Sequence, residues 1–152
     1  MKILISQNFG NGFDINLFAV EELLKRKGFE AFFYVEDYFK GCKTFRKILP
    51  TERLSDYGLF YDDIIVTTTD LGEELYSHEK EDYEYNFSII DLRKDKTLIE
   101  IYEEYGGNKI SNCGLILETI PNGTNYYIKD YDGSECIVLQ NRVNWQIAED
   151  NS

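Results

Sequence analysis

The chain of 152 residues is poor in the side chains that carry most enzyme chemistry. It has one histidine, His78, one tryptophan, Trp145, two prolines, Pro50 and Pro121, and three cysteines, Cys42, Cys113 and Cys136. A Cys/His zinc site needs four ligands at close spacing; one His and three scattered Cys, with no CxxC pair, do not supply them. The odd cysteine count argues against a disulfide framework, and buried free thiols in a reducing cytoplasm are the expected state. A Ser–His or Cys–His nucleophile would have to use His78, which stands in the charged run "SHEKED" and reads as exposed. Only Cys42 has cationic neighbours of the kind that lower a thiol pKa. The adjacent acid pairs Asp62–Asp63, Glu73–Glu74 and Glu103–Glu104 point in different directions, whereas hydrolytic carboxylates must face each other across a defined gap. No catalytic residue, metal or cofactor is expected. Long apolar runs are also missing: none approaches the roughly 20 residues that span a bilayer. The start, "MKILIS", is too short for the apolar stretch of a secretory leader and reads as a first strand. The expected location is the cytoplasm.

What the chain does have is acid and aromatic rings. Asp and Glu number 28 against 16 Lys and Arg, a net charge of −12. Such a surface repels phosphate backbones at long range, so direct DNA or RNA binding is not expected. Solubility, a protein partner with a basic face, and mimicry of nucleic-acid charge are the three readings of that excess. Aromatic residues make up 15% of the chain, chiefly 12 Tyr and 10 Phe, which suits half-buried strands and binding surfaces alike. A chain of this length forms one domain and buries roughly 70% of its unfolded surface without a metal or disulfide staple.

Residues 2–5 read as a buried strand, followed by "SQNFGNGFDIN", residues 6–16. In "NLFAVEELLKRKG" the apolar residues Leu17, Val20, Leu23 and Leu24 recur at helical spacing. Asn16 is the N-cap candidate, Lys25, Arg26 and Lys27 complement the dipole, and Gly28 is the stop. A second strand, "FEAFFYV", follows. Strand, helix and strand with short connections suggest a right-handed βαβ unit with parallel strands. "KGCKTFRKILPTER", residues 40–53, is the one basic stretch and reads as a loop broken by Pro50. Residues 64–69 form a β-branched strand, and "LGEELYSHEKEDYEYN" reads as an acidic loop. "DKTLIEIYEEYGG" is a second helix, capped by Asp95, striped by Leu98, Ile99, Tyr102 and Tyr105, and ended by Gly106. Three strand-like runs close the chain: "CGLILETI", "TNYYIKDY" and "ECIVLQNRV". "PNGT" and "YDGS" between them are hairpin signals, because type I′ turns need positive φ at both central residues. The expected fold class is α+β: an N-terminal strand-helix-strand unit plus a C-terminal three-stranded antiparallel meander, with two main helices on one face of a mixed sheet. Residues 1–147 form the domain and 148–152 a frayed tail.

Several segments, in order, carry a family resemblance: "FGNGF" at 9–13, "TTDLGE" at 68–73, "RKDKTLI" at 93–99, Ile120–Pro121, "YDG" at 131–133, and Arg142 with Trp145. With these the chain resembles a family of small phage- and prophage-encoded proteins that begins with a strand and a glycine turn. It departs from that pattern in the Asn11 between the glycines, in Asp14, and in Lys96 where a proline is expected. The family offers no catalytic residues to transfer. The resemblance implies a viral accessory setting, in which counter-defence functions are common.

The glycine turn offers backbone N–H groups next to a helix start, where anions bind. "GNG" nonetheless matches neither the dinucleotide fingerprint nor the P-loop, and Asp14 would repel a phosphate placed there. If the 64–69 strand ran parallel to the first, "TTTD" at 67–70 would approach the glycine turn, as ligand sites in open α/β sheets do. The candidate ligand-binding residues are Asn8, Phe9, Gly10, Asn11 and Gly12 of the turn and Lys43, Arg46 and Lys47 of the basic stretch. Thr68, Thr69, Asp70, Arg93, Arg142 and Trp145 complete the set, the last two able to stack on a ring. The expectation is a phage-encoded, non-catalytic, counter-defence binding protein. It would either sequester a nucleotide-type immune signal or block a host defence protein. A small nucleotide-handling hydrolase using the glycine turn and "TTTD", and an acidic inhibitor mimicking nucleic-acid charge, are the alternatives. A homo-oligomer is compatible with all of them.

Overall fold

The structure is a computed structural model and describes residues 1–10, 12–37, 44–76 and 83–140. The fold is α+β. Strand β1 (Lys2–Ser6) pairs antiparallel with β6 (Leu115–Thr119). A four-stranded sheet has the order β4-β2-β3-β5, from β2 (Phe32–Asp37), β3 (Thr44–Lys47), β4 (Ile64–Thr67) and β5 (Glu74–Tyr76). Strands β7 (Asn125–Tyr131) and β8 (Ser134–Gln140) form a hairpin whose second strand lies against β1.

Helix α1 (Leu17–Arg26) starts where Asn16 caps it, its side-chain oxygen accepting from the Ala19 amide at 3.0 Å. Helix α2 (Lys96–Tyr105) is capped in the same way by Asp95, which accepts from the Leu98 amide at 2.9 Å. The short α3 (Gly107–Ile110) follows Gly106, whose φ of 84° ends α2. Lys27 bonds Asp95 and Arg26 bonds Glu104, and Phe18 meets the Tyr105 ring edge-on, so α1 and α2 are tied at both ends of their contact.

Alternation in the four-stranded sheet builds two cores, as period-2 side-chain direction requires. Phe33, Val35, Ile64 and Val66 join the main core with Leu17, Val20, Leu24, Leu98 and Ile101. Tyr34, Ile65, Phe45 and Leu75 pack together as a second buried cluster. The buried Tyr34 ring keeps its hydroxyl satisfied, donating to the Gly72 carbonyl at 2.9 Å and accepting from the Leu71 amide at 3.1 Å. Among the described residues no helix is long and apolar enough to cross a membrane.

Four expectations are corrected. The β1-α1-β2 segment is not a parallel βαβ unit, and among the described residues no sheet is mixed: every strand pair is antiparallel. The reason is that β1 has no edge for β2. One side is taken by β6; on the other the Arg93 carbonyl accepts from Leu4 N and the Glu135 carboxylate accepts from Ser6 N. The C-terminal meander is also broken, since β6 pairs with β1 and only β7–β8 is a hairpin. Asp132 and Gly133 both have positive φ, 52° and 93°, whereas in the 121–124 turn only Gly123 does. That turn lacks the type I′ twist that keeps two strands paired. Thirdly, the basic stretch contains β3 and the acidic stretch contains β5, which pair with each other. Finally, Cys113 is buried but Cys136 is exposed. Cys42, His78 and the 148–152 tail lie outside the described residues.

Candidate functional site

The glycine turn is packed against the tip of the β7–β8 hairpin. Gly10 and Gly12 have φ of 118° and 80°, a region that L side chains avoid. The Gly10 amide donates to the Asp132 carbonyl, and a Cβ on Gly133 would lie 2.8 Å from the Gly10 backbone. The Asn8 amide donates to Cys113 O, and its side chain fills the space where a Cβ on Gly114 would go. Two of the amides that a phosphate would use are thus spent on the protein itself. Phe9 projects from the turn, 75% exposed.

Arg93 stands behind this turn in a closed network. Its two terminal nitrogens bind both Glu135 oxygens at 2.8 and 2.7 Å, one also reaches Leu4 O, and its guanidinium lies 4.4 Å from the Phe13 ring centre. Burial alone would raise the Glu135 pKa, but the bonds from Arg93 and the Ser6 amide outweigh it and the net shift is downward. Arg46 binds Glu52 at 2.8 and 3.0 Å, and Tyr57 also donates to that carboxylate. Hydrogen bonds from Arg46 and then Tyr57 hold Glu52 down at about 2. Lys47 binds Asp70 at 2.7 Å and lies over Phe32, which lowers the Asp70 pKa. Thr67 donates to the Thr69 carbonyl; Thr68 is half-buried and Thr69 exposed.

The candidate residues therefore fall into three networks: the glycine turn and Arg93 with the hairpin, Arg46 with Glu52, and Lys47 with Asp70. An anion at Arg46, Lys47 or Arg93 would have to displace an ion pair. Strand β4 pairs antiparallel with β2, not parallel to β1, so the strand-end argument for "TTTD" beside the glycine turn does not apply. Asn11, Lys43, Arg142 and Trp145 lie outside the described residues.

A different arrangement grows from Asp14. Its carboxylate is turned inward, where Oδ1 accepts from Ile15 N and Phe60 N, both at 2.9 Å. Gly58 packs so closely against Oδ2 that any Cβ there would collide with it. Leu59 N donates to Ile15 O, Leu17 N to Tyr57 O, and Gly58 N to Asp62 Oδ2. Burial raises the Asp14 pKa, with the peptide N–H bonds opposing that shift only in part. The result is a fixed ridge, residues 57–63, that holds Phe60 at 57% and Tyr61 at 66% exposure.

Phe60 forms one wall of a cleft of about 360 Å³ whose other aromatic walls are Phe13 and Phe87, with Ser88, Ile90 and Leu92 between them. Asp91 and Arg93 are its charged lining. Ile89, next to this lining in sequence, is 73% exposed. Tyr61 belongs to a second, smaller slot of about 170 Å³, lined also by Asp14, Asp56, Asp62, Asn112 and Cys113. Among the described residues no group of three or more His, Cys, Asp or Glu is placed to hold a metal. Burial raises the Cys113 thiol pKa, and its sulfur is hydrogen-bonded to Ser111 and Asp14 O, so it is held in the less reactive thiol form.

Of the cleft residues, only Arg93 was a candidate from sequence. The available signal was "LFYDD", two adjacent rings bounded by acids after a glycine. It is masked by the strand that follows it. Comparison of the chain with protein-family models, curated proteins and solved structures finds no match.

Proposed function

We propose that this is a non-catalytic binding protein that acts by blocking another protein, in the phage counter-defence setting that the family resemblance implies. The observation that carries the reading is the Phe60 ridge. The buried Asp14 carboxylate and the two backbone bonds Leu59 N–Ile15 O and Leu17 N–Tyr57 O fix a turn whose product is a large ring held in solvent beside an aromatic cleft. Rings of this kind dominate the energetics of protein interfaces. Holding them rigid before contact reduces the ordering cost of binding. The sequestration of a nucleotide-type signal is less well supported, because Arg46, Lys47 and Arg93 are each engaged by a carboxylate and the molecule carries −12 overall.

A photo-crosslinking residue placed at the exposed Ile89, between the cleft-lining Ser88 and Ile90, and another at Tyr127 of β7 test this directly in bacterial host cells. The expected result is one dominant protein adduct at position 89 that is absent at 127 and lost in Phe60→Ala. Equal labelling at both positions contradicts the assignment.

A further inference from the structure

The aromatic cleft and the acidic slot share one ridge, and that sharing defines a partner chemistry. This inference rests on the reading of the ridge as a docking surface. We infer that the partner presents a short basic, apolar segment, with an apolar side chain seated against Phe60 and an adjacent Lys or Arg reaching the slot at Tyr61.

Consecutive residues bound two cavities of opposite character. Phe60 walls the cleft, with Phe13 and Phe87 facing the same space. Tyr61 lines the slot, where Asp56 and Asp62 supply carboxylates and Asn112 an amide, Asp14 forms the inner wall with its carboxylate held by the Ile15 and Phe60 amides, and no basic residue appears. A cationic head with an apolar stem fits such a pair of sites, because long basic side chains bury their methylenes while the head stays polar. The electrostatics of the cleft agree. Its lining cation, Arg93, is neutralised by both oxygens of Glu135, and Asp91 carries an exposed pair with Lys94, so the cleft itself is close to neutral and the negative charge lies on the slot side of the ridge. The ridge itself is bracketed by Asp56, Asp62 and Asp63. Among the described residues the ion pair at these three is Asp56 with the exposed Arg53, a surface pair that contributes little. An acidic segment would meet like charge at Asp56 and Asp62 in the slot. A nucleic acid would meet the same repulsion from the whole body, and a free polyamine would leave the Phe cleft empty. Surfaces that bind nucleic acid carry the required excess of Lys and Arg, so a nucleic-acid-binding host protein is the fitting class.

The test is an amide-shift NMR titration of the full chain with three short synthetic peptides. One alternates Leu and Arg, the second carries Glu in place of Arg, and the third carries Ala in place of Leu. The expected result is saturable shifts at Phe60, Tyr61, Asp62 and Asp91 with the Leu–Arg peptide alone. Its affinity should fall about tenfold from low to high salt. Phe60→Ala and Asp56→Asn should each weaken it, with the remaining amide shifts of the free protein unchanged. Equal binding of the Glu peptide at the ridge overturns the basic partner while leaving the docking surface in place. Absence of ridge shifts with the Leu–Arg peptide overturns the inference, and the position-89 crosslink then decides separately whether the docking reading survives. Equal binding of the Ala–Arg peptide or of spermidine overturns the two-cavity arrangement.

Discussion

Asp14 shows how one side chain can be misread from its neighbours. In a stretch of glycines and polar residues before a helix, its charge looks like an obstacle to a bound anion. In the fold its carboxylate faces inward and holds a turn 46 residues away. Replacing it with Ala leaves the Ile15 and Phe60 amides without their acceptor, and the loss expected for buried donors is about 1–3 kcal/mol. Urea unfolding should report that loss, and hydrogen exchange should speed up first at Phe60. The pH behaviour separates Asp14 from Glu52. Because burial raises the Asp14 pKa, the folded state binds its proton more readily than the unfolded chain. Asp14 therefore penalises the fold at neutral pH, and the penalty fades as the solution is acidified towards 3.8. Glu52 has the opposite sign. Held at about 2 against an ordinary 4.5, it stabilises the fold fully above 4.5, and that contribution is lost as pH falls towards 2. Unfolding midpoints of Glu52→Gln against wild type should therefore converge on acidification through that window and diverge above it. The caps Asn16 and Asp95 were legible from sequence because a cap acts on residues two or three positions away. The partners of Asp14 were not, because nothing local encodes them.

At the level of elements, the helices and the "YDGS" hairpin were readable. Helical spacing of Leu17, Val20, Leu23 and Leu24 and the positive φ required at Asp132 and Gly133 are short-range properties. The strands β3 and β5 were hidden because their cations and acids look like loop residues until they are paired. Arg46 and Glu74 are direct cross-strand neighbours, and Lys47 reaches Asp70 beyond the end of β4. The partner of β1 was not legible either, since which edge is open depends on where Arg93 and Glu135 arrive. That junction is the structural weak point of the hairpin. Glu135→Ala would leave the mostly buried Arg93 guanidinium without its counter-charge, and breaking such a pair costs about 3 kcal/mol. Gly133→Ala should cost about 1–3 kcal/mol, since its φ of 93° is strained for alanine and the new methyl would press on the Gly10 backbone. Thermal melts of both variants check this. A Gly133→Ala protein as stable as wild type would mean that the hairpin tip does not depend on its seat at the glycine turn.

At the scale of the molecule, the acidic balance and the wealth of rings were plain from composition, but their arrangement was not. The sequence candidates gathered the cations, and folding commits three of those, Arg46, Lys47 and Arg93, to carboxylates. What it leaves outward is a rigid aromatic ridge set among acids, between a cleft and a slot. A monomer gains nothing from holding Phe60 in water, and single exposed rings are common; here the exposed ring borders a cleft with two further rings, Phe13 and Phe87. Phe60 is therefore the central contact of the proposed docking surface. The most direct measurement is calorimetry of the protein captured at position 89, titrated with wild type and with Phe60→Ala of matched thermal stability. A central aromatic anchor predicts a loss of about 30-fold in affinity. Binding of the variant within twofold of wild type would contradict the account.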